Sequence, residues 1–548
     1  MAALKMRHVQ LRHLGLAGKV VVIDEVHAYD AYMNTYLDRV LTWFGAYGIP
    51  TILLSATLPS ARRNELIHAY RGRDAKSATR RSRRRDIPEA PREKTGRSAY
   101  PLITAISYEG ALNDGMYRTC VDPSIGTDVV VRGIDDDDAT LVALLDELLS
   151  GGGGCACVLR NTVSRAQGTY GELKRAFGDS CVKLVHSRFI ATDRMANDAE
   201  LLRLLGPDSS GRSGKLIVVG TQVIEQSLDI DFDVMVTDIA PVDLMLQRIG
   251  RLHRHRRGEG QSRRPEKLRS AYCYVAGVEN WDEVPPKVAK GIENVYPRAL
   301  LLRSLLALWA KGDGREAVTI NLPHDIAGLV ELVYSPGDMQ GRLLPDDCRK
   351  NWEDALRAAD EGLQAERNEA RMRANAWLLA KPKKNRNASL VGWLRGSYSA
   401  MDEVKGRAAV RDSGESIEVV VVLKSNSGFE LLPWVVDEKG NRPFGGALGD
   451  GSCAPDDEVA RLAATCTVSL PPKMSMSWNY SYVVEALESQ NPVPGWQESR
   501  WLRGQLVMAF DSSLSASIEA GPRIYHLCYS REVGLELVEP NEKGEDRQ

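Results

Sequence analysis

The chain has 548 residues, which is enough for three or four domains of roughly 100–200 residues each. Hydrophobic residues make up 43% of the sequence and charged residues 26%, a balance that is typical of globular proteins and excludes the disordered and membrane-embedded classes. The formal net charge is −2, so any attraction to nucleic acid must come from local basic clusters rather than from a global positive field.

The cysteines and the amino-terminal residues limit the chemistry and the location further. The nine cysteines include no CxxC pair, which argues against a zinc ribbon and against a disulfide framework. The first 19 residues are basic and interrupted by charges, so they lack the apolar core of a secretory signal. No run approaches the roughly 18 apolar residues that a membrane span requires. We therefore expect a cytoplasmic protein with no membrane partner.

The first predicted elements form a strand–helix–strand unit. The apolar run after Lys19 ends at Asp24 and Glu25, and it predicts a parallel strand that is covered on both faces. Residues 28–48 have apolar side chains at helical spacing and end with glycine, which predicts a helix. A second buried strand begins at Thr51. This unit is half of an α/β domain, and we expect its opening strands to be missing.

Polar and glycine-rich segments separate this unit from the next. The chain is polar and rich in arginine from Arg71 to about Pro101, and its arginine cluster at 80–85 is either a solvated loop or a local contact for nucleic acid. An acidic run at 135–138 precedes a predicted helix. Residues 151–154 are four glycines that follow this helix and precede a strand, so they predict a turn and not a phosphate-binding loop.

Residues 126–315 predict a doubly wound parallel sheet, because strands alternate there with helices. The predicted order is strand 155–161, helix 165–178, strand 182–187, helix 194–206, strand 215–221 and strand 234–240, followed by a helix carrying residues 244–254. The carboxyl ends of these strands should form the ligand edge of the sheet. Cys155 and Cys157 lie in the first strand and are expected to be buried.

The remaining chain predicts a long charged helix, Asp354 to Leu379, then a basic break at 381–387 and short strands. The predicted class is therefore α/β, with tandem domains of which the first is incomplete, a helical linker and a mixed C-terminal domain. The predicted division is 1–125, 126–315, 316–410 and 411–548.

The first chemical motif is the DEVH run at the end of the first strand. A site that hydrolyses a nucleoside triphosphate needs one carboxylate to hold Mg²⁺ and a second one to orient and deprotonate the attacking water. Asp24 suits the first role and Glu25 the second. His27, at the end of the run, is a candidate for contact with the nucleotide. An acidic pair after a strand is also common as a purely structural feature.

Ser55, Ala56 and Thr57 close the next strand along the chain. Small hydroxyl residues at this point can hydrogen-bond the acidic pair and couple nucleotide state to movement of the neighbouring domain. The SAT run alone carries no information. Its position at the end of the strand after DEVH is what makes it a candidate for coupling.

Two further motifs lie in the second α/β segment. Gly220 and Thr221 leave a strand and expose backbone N–H groups to a phosphate, and Asp229 could accept a hydrogen bond from a ribose hydroxyl. Arg251 and Arg254 are three residues apart, so on a helical turn both would reach the same γ-phosphate.

Gln247 and Arg248 open the run that carries these two arginines, and they are candidates for nucleotide contact. The alternative interpretation of the run is a solvated basic helix start. The basic stretch from His253 to Arg264 that follows is likewise either a solvated loop or a nucleic-acid contact.

The ordered set of motifs resembles that of superfamily-two helicases with tandem RecA-like domains. More specifically, DEVHAYD, LSATLPS, LRNTVSRAQ, VHSRF, VIEQSLDIDFD and MLQRIGRLHRH are similar to the CRISPR-associated helicase-nuclease that type I systems recruit to foreign DNA. The resemblance continues into VYPRALLLRSL, FELLPW and WLRGQLVMAFD, so it covers nearly the whole chain.

This resemblance implies an enzyme that uses ATP and Mg²⁺ to move along single-stranded DNA displaced by a guide-RNA surveillance complex. The strand-end residues of the second α/β segment would contact phosphates rather than bases, because a motor must not read sequence. These residues are Asn161, Thr162, Gly220, Thr221 and Gln226.

The departures from the family pattern are as informative as the matches. Family members begin with a metal-dependent HD nuclease domain and a GxxxxGK[ST] phosphate loop ahead of DEVH, and this sequence contains neither. The dipeptide His324-Asp325 lacks companion ligands and is expected to be a surface turn. We therefore expect a truncated or split chain that is inactive alone, with a separate N-terminal half as a possible partner. The open alternatives are a non-catalytic DNA-binding or scaffold subunit and another superfamily-two helicase.

Overall fold

The computed structural model describes residues 2–5, 9–26, 30–72, 100–107, 115–118, 126–209, 214–225, 228–309, 316–335, 343–382 and 416–538. The α-helices are α1 Val9–Leu16, α2 Ala31–Tyr47, α3 Ser60–Tyr70, α4 Asp138–Leu149, α5 Val163–Phe177, α6 Ala191–Leu205, α7 Val242–Ile249, α8 Lys290–Glu293, α9 Arg298–Trp309, α10 Ile326–Tyr334, α11 Arg349–Trp377, α12 Asp457–Ala464, α13 Pro472–Ser475 and α14 Ser477–Gln490.

The strands are β1 Val21–Ile23, β2 Thr51–Leu53, β3 Leu102–Ala105, β4 Gly115–Arg118, β5 Thr127–Gly133, β6 Gly154–Leu159, β7 Val182–Val185, β8 Lys215–Gly220, β9 Val234–Asp238, β10 Ala271–Ala276, β11 Val278–Asn280, β12 Lys287–Val288, β13 Val318–Leu322, β14 Glu418–Ser425, β15 Gly428–Glu430, β16 Ala447–Gly449, β17 Thr467–Ser469, β18 Leu506–Phe510, β19 Ser515–Ala520, β20 Arg523–Ser530 and β21 Gly534–Val538.

The chain divides into two compact units. The first unit comprises Met1–Asp135, Ile239–Gly250 and Cys273–Asp412. The second unit comprises Asp136–Asp238, Arg251–Tyr272 and Ser413–Gln548. The division therefore assigns α7, which carries Gln247 and Arg248, to the first unit.

In the first unit, the predicted strand–helix–strand start is confirmed. β1 and β2 are parallel, with Val22 opposite Ile52. The connecting helix α2 begins where the Asp30 carboxylate accepts a hydrogen bond from the Met33 amide, and it ends at Gly48 in the left-handed conformation. The apolar face of α2 packs onto the strands and onto α3 in one buried cluster.

One face of the β1–β2 pair is open, which corrects the prediction that β1 is covered on both faces. Val20, Val22, Ile52 and Leu54 alternate with buried or half-buried neighbours, and their side chains are 46–61% exposed. Four large apolar side chains on one small sheet face form a patch of the kind that normally packs against another part of a protein.

Helix α11 extends from Arg349 to Trp377 and so begins five residues earlier than predicted. Its end packs against α2, where the indole of Trp43 donates to the Ala380 carbonyl and the guanidinium of Arg39 donates to the Leu379 carbonyl. Ala370, Ala374 and Leu378 share a buried cluster with Tyr32 and Tyr36 of α2. The long helix is thereby fixed to the strand–helix–strand start of the chain.

The first unit also contains the strand order β13–β5–β10, in which β13 runs antiparallel to β5 with Ile320 opposite Val129. In the turn between β13 and α10, the Asp325 carboxylate accepts a hydrogen bond from the Asn321 amide at 2.7 Å. His324 and Asp325 are exposed, so the prediction of a surface turn at this dipeptide is confirmed.

In the second unit, the predicted parallel sheet is confirmed. Its order is β9–β6–β8–β7, and each neighbouring pair is parallel. The side chains of β6 and β9 are buried throughout, including Cys155 and Cys157. Gly151 and Gly153 have positive φ angles in the turn between α4 and β6, which confirms that the glycine run ends a helix.

Residues 416–538, also in the second unit, form a five-stranded mixed sheet, a three-stranded antiparallel sheet and helices, and they pack against α5 and α6. The buried Asp193 carboxylate of α6 accepts hydrogen bonds from the Tyr529 hydroxyl at 2.7 Å and from the Trp434 indole at 3.0 Å. The Gln167 amide of α5 donates to the carbonyls of Val533 and Leu535. These bonds fix the C-terminal segment to α5 and α6.

Among the residues that the structure describes, no helix has both the length and the apolarity needed to cross a membrane.

The open face of β1 and β2 generates a first prediction. Replacing Val22 and Ile52 together by Thr should change the free energy of unfolding by less than about 0.5 kcal/mol, because both side chains are already in water. The same replacement at the fully buried Val158 of β6 should cost about 1–3 kcal/mol, because it buries an unpaired hydroxyl. Chemical unfolding measures the free energies, and light scattering should show less aggregation for the double variant. A double variant as unstable as the Val158 variant would mean that the face is covered.

Candidate functional site

The acidic pair lies at the carboxyl end of β1, as predicted. Asp24 and Glu25 are both exposed. Glu25 has a φ of 53°, a left-handed conformation that costs a residue with a side chain of order 1–3 kcal/mol, and such strain concentrates at functional sites. The Asp24 carboxylate accepts a hydrogen bond from the Glu25 amide at 2.8 Å and so stabilises the turn. His27 lies outside the described residues.

The SAT residues lie beside this turn, because backbone hydrogen bonds join the two strand ends. The Leu54 amide donates to the Ile23 carbonyl at 2.9 Å, and the Val26 amide donates to the Leu54 carbonyl at 3.2 Å. The Ser55 hydroxyl donates to the Thr57 carbonyl at 2.8 Å. Ala56 is exposed. The buried Thr57 hydroxyl has no hydrogen-bond partner within the described part of the chain.

The predicted DNA-contact residues also come together, at the carboxyl ends of β6 and β8 in the second unit. The Arg160 amide donates to the Gly220 carbonyl at 2.8 Å, and the Gln222 side chain donates to the Asn161 carbonyl at 3.1 Å. Asn161 and Thr221 are only 3% and 2% exposed, so their side chains offer little surface to a ligand in this conformation.

Thr162 is more exposed than Asn161 and Thr221, and its hydroxyl caps α5 by accepting from the Arg165 amide. Gly220 is closely packed, because an added Cβ would lie 2.4 Å from the Ile224 side chain. Gln226 lies outside the described residues. The sequence interpretation missed Gln222, although its position directly after Thr221 was a usable signal.

A buried charge network beneath these strand ends was also missed. The Asp238 carboxylate, with no exposed surface, accepts from Arg160 and from Arg165, each at 2.9 Å, and from the Asn161 amide at 2.9 Å. Burial alone would raise the pKa of Asp238, but the two guanidinium groups hold it below its ordinary value. The network orients the loop between β6 and α5. Charged residues at the ends of otherwise apolar strands are the signal that could have revealed it.

The arrangement of Arg251 and Arg254 corrects the predicted helical turn. α7 ends at Ile249, so neither arginine is on a helix. Arg251 donates to the Glu225 carbonyl at 2.6 Å and also to the Leu228 carbonyl. The arginine run and the loop after β8 nevertheless meet through these hydrogen bonds.

Asp229 and Arg254 form an exposed ion pair in which Nε of Arg254 lies 2.6 Å from Oδ1 of Asp229. The hydrogen bond from Arg254 lowers the pKa of Asp229 below its ordinary value, so this carboxylate is ionised at neutral pH. The pair would have to open for Asp229 to accept a hydrogen bond from a ribose hydroxyl.

Gln247 and Arg248 lie on α7 in the first unit. Gln247 is half-buried, whereas Arg248 has no exposed surface and its guanidinium donates to the Tyr296 hydroxyl at 3.2 Å. Arg248 therefore packs inside the first unit in this structure. Its predicted contact with a nucleotide stays a prediction.

The basic stretch from His253 to Arg264 is solvated only in part, because Arg254, Arg256 and Arg263 are exposed whereas Arg257 and Arg264 are buried. Arg264 is buried and donates to both oxygens of Asp231 at 2.9 Å and to Asp233. Arg257 donates to Asp231 at 3.0 Å. Burial, together with the nearby Arg264, lowers the pKa of His253 to about 4, so the ring is neutral at physiological pH.

The described ranges contain no group of three or more His, Cys, Asp or Glu side chains that could hold a metal ion. The eight cysteines in those ranges are all free thiols.

The parallel sheets, with the motif loops at the carboxyl ends of their strands, match the architecture of helicases with RecA-like domains. Residues 152–257 match the family model described as CRISPR-associated nuclease/helicase Cas3, C-terminal, and residues 411–535 match the Cas3 C-terminal domain. The CRISPR-associated nuclease/helicase Cas3 of Streptococcus thermophilus is 34% identical, and the match covers 99% of this chain and 54% of the relative.

Solved structures agree with these matches. The crystal structure of T. fusca Cas3-AMPPNP is 26% identical with a TM-score of 0.73, and the match covers 98% of this chain and 56% of that one. A chain in the structure titled "CRISPR RNA-guided surveillance complex, pre-nicking" is 26% identical with a TM-score of 0.69, and 98% of this chain and 59% of that one are covered. The chain belongs to the Cas3 family, and it spans about half the length of the curated relatives it matches.

The buried network around Asp231 generates a stability prediction. Replacing Arg264 by Leu should cost about 3–5 kcal/mol of unfolding free energy, because it leaves Asp231 and Asp233 as buried charges with one fewer partner. Replacing the neighbouring, exposed Arg263 by Leu should change stability by less than about 0.5 kcal/mol. Denaturant unfolding of the two variants tests this, and equal effects would contradict the burial of the network.

Proposed function

We propose that the chain is the ATPase-coupled C-terminal portion of a single-stranded DNA translocase, or helicase, of type I CRISPR interference. The observation that carries this proposal is that motifs of the ordered set lie together in space. DEVH lies beside SAT at the carboxyl ends of β1 and β2, and Arg251 and Arg254 lie beside the loop after β8. Membership of the Cas3 family supports it. The surveillance-complex structure that contains a similar chain supports a guide-RNA complex as partner. The proposed location is the cytoplasm.

ATP and Mg²⁺ are the cofactors of the proposal, and similar chains were solved with AMPPNP and with ADP. The residues present fit one side of such a site, because Asp24 and Glu25 are exposed oxygen ligands at a strained strand end. Bound Mg²⁺ would neutralise charge on the triphosphate. Asp24 would hold this ion through water, and Glu25 would accept the proton of the attacking water.

The arginines of the second unit have a proposed role of their own. Arg251 and Arg254 are the proposed fingers for the γ-phosphate, which in this class of enzyme contribute on the order of 10³–10⁵ in rate. Asp229, Gln247 and Arg248 are the proposed contacts for the remaining nucleotide. Arg254 would exchange its bond to Asp229 for one to phosphate, since both acceptors are exposed anions.

The chain alone should be inactive. Its sequence contains no GxxxxGK[ST] loop, so Asp24 would face a metal ion without an anchored triphosphate. We propose that an HD nuclease and this loop are supplied by residues outside this sequence. The open apolar face of β1 and β2 supports a further layer of protein at this sheet. The division into segments 1–125, 126–315, 316–410 and 411–548 is part of this proposal.

Hydrolysis generates the first test of the proposal. In a reconstituted protein that includes the phosphate loop, replacing Glu25 by Gln should preserve ATP binding and lower turnover by about 10²–10⁴, because the metal ligand Asp24 remains while the base is lost. Replacing the exposed Glu259 by Gln is the matched control and should leave turnover unchanged. Normal turnover in the Glu25 variant would refute the role of this carboxylate.

DNA binding generates the second test. We propose that single-stranded DNA binds the second unit, with Asn161, Thr162, Gly220, Thr221 and Gln226 contacting phosphates. Affinity should then fall steeply with salt, with a logarithmic slope of roughly −0.7 for each neutralised phosphate. Fluorescence titrations at constant salt should give similar affinities for oligonucleotides of equal length and different sequence. A strong base preference would count against a translocating role.

A further inference from the structure

Helix α3 begins directly after the SAT turn, and a distant residue caps it. Its N-cap residue is Pro59, whose side chain makes no capping hydrogen bond. The Ser60 amide donates to Oε2 of Glu331 at 3.0 Å, and the Ser60 hydroxyl donates to Oε1 of the same carboxylate. A carboxylate at this end satisfies N–H groups that a helix leaves free and complements its dipole. Glu331 of α10 thus takes the place of a local cap.

One turn along α10, Tyr334 makes a second bond of this kind. Its hydroxyl donates to Oδ1 of Asp243 at 2.6 Å. Asp243 is buried in the first turn of α7, the helix that carries Gln247 and Arg248. Burial and the nearby Asp243 raise the pKa of Tyr334 well above its ordinary value, so the hydroxyl stays a donor at neutral pH.

The backbone between these two contacts is firmly held. Val330 and Val333 of α10 are buried, and the Val333 carbonyl accepts from the guanidinium of Arg303. Residues three apart on a helix lie on neighbouring positions of one side. α10 is therefore a short packed helix with two polar contacts. Glu331 contacts α3, which follows SAT, and Tyr334 contacts α7, which carries Gln247 and Arg248.

We propose that Glu331 and Tyr334 are positioning residues that couple movement of the SAT turn to movement of α7. This inference rests on the proposed ATP-driven function and extends it, because it identifies the element that joins the two motifs inside the first unit. A displacement of Ser60 is transmitted through the Glu331 carboxylate to α10, and from Tyr334 to Asp243. Coupling of this kind is reciprocal.

Hydrogen exchange on the purified chain tests the coupling without any activity. Replacing Tyr334 by Phe removes only the hydrogen bond from α10 to Asp243 of α7. It should nevertheless accelerate hydrogen exchange of the amides in the first two turns of α3 by about fivefold or more. Replacing Glu331 by Gln should likewise accelerate exchange in α7. Replacing the exposed Glu361 of α11 by Gln is the control and should change neither helix. If each variant affects only the helix that it touches, the two bonds are independent caps and the proposal is wrong.

Activity of the reconstituted full-length protein provides a second, separable readout. Replacing Tyr334 by Phe should lower the stimulation of ATP hydrolysis by single-stranded DNA about fivefold or more, while the Kd for ATP changes by less than about twofold. Unchanged stimulation would overturn the role of α10 in the reaction. If the wild-type protein itself showed no DNA-stimulated hydrolysis, the proposed function would fail, whereas reciprocal exchange effects would still support the coupling.

Discussion

Buried carboxylates at both ends of β9 determine where the functional loops of the second unit lie. Asp231 and Asp233 precede this strand and Asp238 ends it, and each is almost or entirely without exposed surface. A buried charge is costly unless cationic groups and hydrogen-bond donors surround it. Arg257 and Arg264 supply these partners at one end, and Arg160 and Arg165 at the other.

Each of these arginines belongs to a segment with a predicted role. Pairing at Asp238 fixes the loop between β6 and α5, which carries the DNA-contact candidates Asn161 and Thr162. Pairing at Asp231 anchors the stretch after Arg251 and Arg254, so these two arginines remain beside the loop after β8. Charge neutralisation inside the sheet thereby shapes the surface on which nucleotide and DNA are proposed to bind.

Periodicity was sufficient to predict most of the regular elements, because apolar runs and glycine ends are local signals. The helix before Gly48 and the parallel strands of the second unit follow from such signals. The geometry of Arg251 and Arg254 did not follow, since a spacing of three predicts a shared face only if the helix continues, and α7 ends at Ile249. The burial of Arg264 was equally hidden, because its carboxylate partners are some 30 residues distant in sequence. The exposure of one face of β1 and β2 could not be predicted either. Whether a sheet face is covered depends on other elements of the fold, and a local sequence pattern contains no information about them.

The central claim is the proposal that Asp24, Glu25 and Arg251 serve the hydrolysis of ATP, whose phosphates are held by a loop that this sequence does not contain. The most direct measurement is DNA-stimulated ATP hydrolysis by the purified chain, with and without a separately expressed N-terminal piece that carries the HD domain and the phosphate loop. The account predicts no hydrolysis by the chain alone, activity together with improved solubility when the piece is added, and loss of that activity on replacing Arg251 by Ala. Robust hydrolysis by the chain alone that disappears in the Arg251 variant would contradict it, because some other loop would then hold the phosphates.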